Sequence, residues 1–295
     1  MKNKKQKFIK DPFDVRIGET LEVESALPAV SLLGAPWDGA VGTRPGSRQA
    51  PASIRQQLYS MPYTGGYRIL DLGDVDAVIG DHQLTWRRIT RSVRECLSIG
   101  EETLVMGGDS TVSYAAHRAL RNRVETGVAY VMLDAHPDVR VVTEGLTSGQ
   151  VARWVRNMDP ATPIFVLGVR PRSNASYLFR EADKLNVSVL TLDQMMSAGV
   201  SETVSLVAER CEDRVVQLSV NMDVVDPAYA PGVNSPSPGG LTSREALNLV
   251  TALCLRMKPR LVDVVEVTPA YDRDGVTSSL AAAMLSESIW VGKQA

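Results

Sequence analysis

Val128-Ala129-Tyr130-Val131-Met132-Leu133-Asp134-Ala135-His136-Pro137-Asp138 is the stretch on which the reading of this chain turns. A short, continuously apolar run such as Val128 to Leu133 is the mark of a strand buried on both faces. Beyond it, Asp134, His136 and Asp138 stand at every second position. In an extended chain these side chains point the same way, about 6.6 Å apart. Two carboxylates bracketing an imidazole suit manganese, zinc or nickel better than magnesium. The competing reading is a strand end carrying three solvated polar residues.

A second stretch repeats the layout. Val215 to Val220 is an apolar strand that runs into Asn221-Met222-Asp223 and then Val224-Val225-Asp226-Pro227. Two strands of like design that end in ligand-type side chains predict one site at the carboxyl edge of a parallel sheet, where open α/β sheets place their ligands.

Working outward, strand and helix patterns alternate. Strands are predicted at Val30–Gly34, Leu70–Asp74, Thr103–Met106, Val128–Leu133, Ile164–Val169, Val187–Leu192, Val215–Val220 and Leu261–Val267. Helices are predicted at Ala52–Tyr59, Leu84–Ile99, Thr111–Arg123, Gln150–Asn157, Ala175–Leu185, Val200–Cys211, Ser243–Met257 and Thr277–Trp290. The pattern predicts an α/β fold whose mainly parallel sheet is covered on both faces. Residues 1–28 read as a polar, irregular arm and 29–295 as a single domain, with no repeat or low-complexity linker between them.

Two loops stand out. Residues 35–46 hold three glycines and two prolines, which marks either a functional loop or a plain surface connection. After Asp226, four prolines and three glycines fall between Pro227 and Gly240. Such a loop loses little backbone entropy on ordering and can hold a fixed shape beside a site. Thr242 or Ser243 then caps the next helix, with Glu245 in its first turn.

Composition narrows the class. The 295 residues are 44% hydrophobic and 22% charged, with a net charge of −2, which gives no electrostatic case for nucleic acid or a membrane surface. No run approaches the length of a membrane span, and Met1-Lys2-Asn3-Lys4-Lys5 is followed by no apolar segment of a secretion signal. The three cysteines, Cys96, Cys211 and Cys254, are scattered; this argues against a disulfide framework and fits a reducing compartment, with the cytoplasm as the expectation.

Taken together, Gly34-Ala35-Pro36-Trp37-Asp38 with Arg44-Pro45-Gly46, Gly107-Gly108-Asp109, Asp134-Ala135-His136-Pro137-Asp138, the segment from Ser219 to Gly240, and Glu266-Val267-Thr268-Pro269-Ala270-Tyr271-Asp272 resemble the ureohydrolase (arginase/agmatinase) family, most of all its agmatinase-like branch. The resemblance covers roughly residues 30 to 292. It implies a three-layer α/β/α sandwich with an eight-stranded sheet. It also implies two manganese ions bridged by a hydroxide that attacks a guanidinium carbon. In that chemistry two metals about 3.5–4 Å apart share carboxylates. By the same resemblance Asp134 bridges the metals, His136 and Asp223 bind one, Asp138 binds the other, and Glu266 holds the substrate guanidinium by paired hydrogen bonds; in a single-metal hydrolase Asp138 would instead be the general base. Trimers or hexamers are implied as well.

Three positions depart from the family pattern. Ser110 stands where a histidine ligand follows Gly-Gly-Asp, Asn221 where an aspartate ligand is usual, and Ser148 where the active-site loop carries a proton-carrying histidine. Asp134, Asp138 and Asp223 are then three carboxylates where the family sets four against two divalent cations. One ion is matched, held by Asp134, His136 and Asp223 with the Asn221 carbonyl oxygen as a weaker ligand; a second ion, or even any ion, is in doubt. His117 cannot replace the missing histidine, because it lies about 10 Å along a helix from Ser110, and His82 reads as a surface histidine. Arg140 either neutralises clustered carboxylates in place of a metal or faces solvent, and with Ser148 it is a candidate substrate contact. Two functions follow: an atypical hydrolase of a small guanidino or amidine molecule, or a catalytically silent homologue with a binding, regulatory or scaffold role.

Overall fold

The structure is a computed structural model that describes Asp11, residues 13–21 and residues 27–292, except for the side chains of 290–292. Most of the predicted arm therefore lies outside the described residues. Its described part is not wholly irregular: Ile17–Glu19 forms a 3₁₀ turn that buries Ile17.

From Ala29 onward the chain runs β1 (Ala29–Gly34), α1 (Ala50–Tyr59), β2 (Arg68–Asp74), α2 (His82–Ile99), β3 (Glu102–Met106), α3 (Thr111–Arg121), β4 (Val128–Leu133) and α4 (Val151–Met158). It continues with β5 (Ile164–Val169), α5 (Ser176–Lys184), β6 (Ser188–Thr191), α6 (Leu192–Ala198), α7 (Val200–Arg210), β7 (Val215–Asn221), α8 (Ser243–Met257), β8 (Leu261–Val265) and α9 (Val276–Gly292). Hydrophobic periodicity does not single out α6. The predicted strand Val187–Leu192 stops at Thr191, whose hydroxyl accepts the Gln194 N–H and starts a helix instead.

The eight strands form one sheet in the order β2-β1-β3-β8-β7-β4-β5-β6, with every pairing parallel. Side chains alternate between its faces. Ala129, Val131 and Leu133 pack into a cluster shared with α1, α7, α8 and α9, while Tyr130 and Met132 face α4 and α5. Leu33 and Val105 meet α2 and α3 on that second side. Three layers result, since a parallel sheet needs both faces covered.

The strand order places the site. β7 and β8 come late in the chain yet fill the gap between β3 and β4, so the carboxyl ends of four adjacent strands deliver Ser110, Glu266, Asn221 and Asp134 to one place.

Beneath α3 lies a buried polar network. The Asp263 carboxylate accepts hydrogen bonds from Ser113, Ser219 (2.7 Å) and Gln217 (2.7 Å), and the Gln217 oxygen meets His117 Nδ1 at 3.0 Å. His117 is thus a core residue, as its distance from the site requires. Burial pushes its pKa down to about 4, against the bond to Gln217 and the Asp159 charge, with Arg121 adding a smaller push downward. A depressed histidine pKa means that the unfolded chain takes the proton first as pH falls. This contribution to stability is complete above about pH 6.5 and shrinks as pH drops toward 4, by up to about 3 kcal/mol. Urea unfolding of wild type and His117→Gln at pH 7 and pH 5 is expected to show a steeper acid loss in wild type; parallel losses would refute this account.

Candidate active site

Asp134 follows β4, but the chain does not stay extended after it. The Asp134 carboxylate accepts the backbone N–H of His136 (2.6 Å), an Asx turn that folds residue 136 back over residue 134. The even spacing expected of an extended Asp-His-Asp run is therefore replaced by a tighter cluster. His136 Nδ1 lies 3.3 Å from Asp134 and 3.0 Å from Asp223. One ligand atom from each of Asp134, His136 and Asp223 falls within 4.8 Å of the others. Asp138 lies outside this trio, in the left-handed region (φ 52°). Its Oδ2 is buried without a hydrogen-bond partner.

Asp223 is held from behind. One of its oxygens accepts the Ala135 N–H (3.0 Å). The buried Arg170 guanidinium donates to the backbone oxygens of Asp223, Val224 (2.9 Å) and Ser237 (3.0 Å). Arg170 follows β5 as Asp134 follows β4, the one sequence signal by which it was findable.

The two departures at Ser110 and Asn221 adopt defined bonds. Asn221 Oδ1 accepts the Asp223 N–H at 3.0 Å, which fixes the amide and turns Nδ2 toward Asp134 Oδ2 at 2.7 Å. The amide thus shows the pocket a donor rather than the carbonyl oxygen expected as a ligand. Ser110 donates its backbone N–H and its hydroxyl to Glu266 Oε1, both at 2.8 Å. Glu266 is left-handed (φ 68°), and its Oε2 is buried and unpartnered.

Charge explains the protonation. Burial works against a charged His136, but Asp223 and Asp134 outweigh it and hold its pKa up to about 11. Burial first, then the Asp223 charge, lifts Asp134. Burial and the Asp134 charge lift Asp138 well above the carboxylate range; burial and Asp109 do the same for Glu266. In this arrangement the imidazolium is the positive charge among the carboxylates. Arg140 is not: it is exposed and takes part in no ion pair among the described residues, so of the two readings left open for it the structure does not show the neutralising one.

Ser110, His136, Asp138, Asn221, Asp223 and Glu266 open onto one cavity of about 330 Å³, which Arg140 and Ser148 also line; Asp134 is fully buried and is not part of its wall. Sequence reasoning missed Thr43, Asn234 and Ser235 in its wall. They reach it because the two loops it singled out are pinned there. Asp109 accepts the Ala40 N–H (2.9 Å), Thr43 donates to the Asn234 carbonyl (2.7 Å), and Asn234 N–H donates to the Glu266 carbonyl (3.3 Å). Asp226 closes the proline-rich loop by accepting from Ala228, Gly239 and Gly240.

The model of the Arginase family matches residues 28–290. The chain belongs to the arginase family. Proclavaminate amidinohydrolase of Streptomyces clavuligerus is 33% identical over 275 residues, 88% of this chain and 87% of that one. The crystal structure of formimidoylglutamase from Bacillus subtilis superposes with a TM-score of 0.89 at 26% identity, over 98% of this chain and 95% of that one. Agmatine ureohydrolase of Thermoplasma volcanium gives 0.78 at 27% identity, over 95% and 94%. The arginase-family likeness thus extends beyond agmatinases. As in the expected fold, this member has eight strands flanked by helices, and among the described residues no helix is long and apolar enough to cross a membrane. Its three cysteines are free and buried.

Proposed function

We propose that this arginase-family chain hydrolyses a C–N bond of a small guanidino or amidine molecule, using one divalent ion, manganese by resemblance, rather than two. The observation that carries the reading is the pairing of the Asp134–His136–Asp223 trio, which meets the cavity through His136 and Asp223, with two buried carboxylate oxygens that have no partner, on Asp138 and Glu266. Relatives named for amidine and guanidino substrates support it.

The trio fits a divalent ion: one imidazole nitrogen and two carboxylates, buried and matched in charge to a dication that would take the place of the imidazolium proton. Such an ion supplies Lewis acidity and eases deprotonation of water. The second position does not fit, because Ser110 puts in place of a nitrogen ligand a hydroxyl already donated to Glu266, and Asn221 aims its amide donor at the Asp134 oxygen that would have to face a cation. Glu266 Oε2 accepts an amidinium N–H and fixes the plane of the reacting carbon. Asp138, kept basic by burial and the neighbouring Asp134, takes a proton from the attacking water and returns it to the departing nitrogen. The water oxygen ends on the amidine carbon, and the C–N bond breaks. A homo-oligomer, trimer or hexamer, in the cytoplasm belongs to the same reading.

Metal analysis of the manganese-reconstituted protein is expected to give one ion per chain, and the Ser110→His, Ser148→His, Asn221→Asp triple variant close to two. Two tight ions in wild type would overturn the one-ion reading. No metal, with no turnover of agmatine, guanidinobutyrate or arginine, would establish the silent homologue instead.

A further inference from the structure

Arg170, at the end of β5, is bonded to the backbone beside every member of the Asp134–His136–Asp223 trio, and it reaches one of them across a strand. In the sheet β4 lies between β5 and β7. The Arg170 guanidinium nevertheless donates to the carbonyls of Asp223 and Val224 (2.9 Å) beyond β7, and of Ser237 (3.0 Å) in the proline-rich loop. Its main chain holds the turn after β4: the Arg170 N–H donates to the Ala135 carbonyl (3.1 Å), which also accepts from Asn174 Nδ2 (2.8 Å). Ala135 stands between Asp134 and His136, and its own N–H donates to Asp223 Oδ1 (3.0 Å). Ser237 completes the circuit, with its hydroxyl 3.4 Å from His136 Nε2. Gly168 permits the close approach, since a Cβ there would lie 2.5 Å from Val224 Cγ2.

Arg170 is 5% exposed and takes part in no ion pair among the described residues, whereas Arg48, Arg55, Arg121 and Arg153 have carboxylate partners. A desolvated guanidinium that meets only neutral carbonyls is unfavourable unless negative charge lies close by. The carboxylates that act on it most are Asp223 and Asp134. Two roles then make opposite predictions. As a bare charge, Arg170 repels a cation entering the trio, and its removal would tighten metal binding. As a clamp, it fixes Asp223 against the Asp134–His136 turn, and its removal would loosen the ligands and weaken binding. Bonds to three separate segments are what a clamp requires and a nearby charge does not.

We propose that Arg170 is a positioning residue that presets the trio for a divalent cation, its clamping outweighing its repulsion of the ion. This rests on the reading of Asp134, His136 and Asp223 as ligands.

The test is calorimetric titration of the metal-free, full-length protein with Mn²⁺, with the visible spectrum of the Co²⁺-loaded protein as a second readout. Arg170→Met is expected to bind Mn²⁺ about 10- to 100-fold more weakly than wild type and to shift the Co²⁺ bands. Arg170→Lys, which keeps the charge but not the planar fork, should fall between the two. Ser237→Ala, which leaves the clamp but removes the hydroxyl beside His136, should weaken Mn²⁺ by about 5-fold. A role confined to fold stability would lower the melting temperature and leave both readouts of the folded protein unchanged. Should Arg170→Met fail to fold, weaker Mn²⁺ binding by Arg170→Lys sustains the inference and wild-type binding by it overturns it. Unchanged or tighter binding in the folded Arg170 variants overturns the inference while leaving the one-ion hydrolase standing. A wild type that takes up no Mn²⁺ overturns both. Arg170-dependent binding without turnover of a guanidino or amidine substrate would sustain the inference and refute hydrolysis.

Discussion

Glu266→Gln is expected to lower kcat/KM for the amidine substrate by about 10²–10³-fold while leaving the melting temperature nearly unchanged. The reasoning depends on the two oxygens being unlike. Oε1 accepts from the Ser110 N–H and hydroxyl, and a glutamine carbonyl can continue to do so. Oε2 has no partner; in the variant an amide NH₂ takes its place and meets the amidinium donor to donor. Loss of a buried charge-assisted bond, together with that mismatch, is worth roughly 3–4 kcal/mol, which is the stated range. Steady-state kinetics with a thermal melt checks both halves. A variant that retains full turnover would remove Glu266 from substrate binding, and one that fails to fold would show that the charge itself holds the loop.

Gly108→Ala is expected to be far more damaging than its single methyl implies, destabilising the fold by at least about 3 kcal/mol in urea unfolding. A Cβ at this position would sit 1.7 Å from the Trp37 carbonyl oxygen and 2.6 Å from its carbon. The Trp37 segment cannot retreat freely, because the same oxygen accepts the Asp109 N–H (2.8 Å). The Gly108 carbonyl also receives the Glu266 N–H (2.8 Å), so displacement would carry Glu266 with it. A stable, active Gly108→Ala would refute this close approach.

Much of this was open to reading in one dimension, and the exceptions share a cause. β4, β5 and α8 match their predicted bounds because a buried strand and a capped amphipathic helix are written in local pattern. Of the two caps the pattern offered, Thr242 and Ser243, it is Thr242 that carries the capping box. Strand-end logic also named Asp134, His136, Asn221 and Asp223, and the family resemblance named Glu266; all but the fully buried Asp134 line one cavity. What local pattern did not carry was conformation decided by side-chain bonding. The Asx turn at Asp134 draws His136 in and leaves Asp138 apart, although spacing alone made the three equivalent. Asn221 reads equally well as an oxygen ligand until the Asp223 N–H claims that oxygen. The left-handed backbones of Asp138 and Glu266, each costing of order 1 kcal/mol, are strain that no propensity announces. Thr43, Asn234 and Ser235 were out of reach for a simpler reason: their loops meet only after the sheet has closed.

That closure bears on how the molecule comes to exist. The bond from Ser110 to Glu266 spans 156 positions, and the one from Asn221 to Asp134 spans 87. While the chain is being synthesised from its amino end, β3 and β4 have left the ribosome long before the two strands that must lie between them. Until then both present bare apolar edges, and no half-built pocket brings Asp223 to Asp134 and His136 or Glu266 to Ser110. Folding of the sheet's middle and the birth of the binding site are therefore one late event, and a growing chain has most need of chaperone cover in the interval before it.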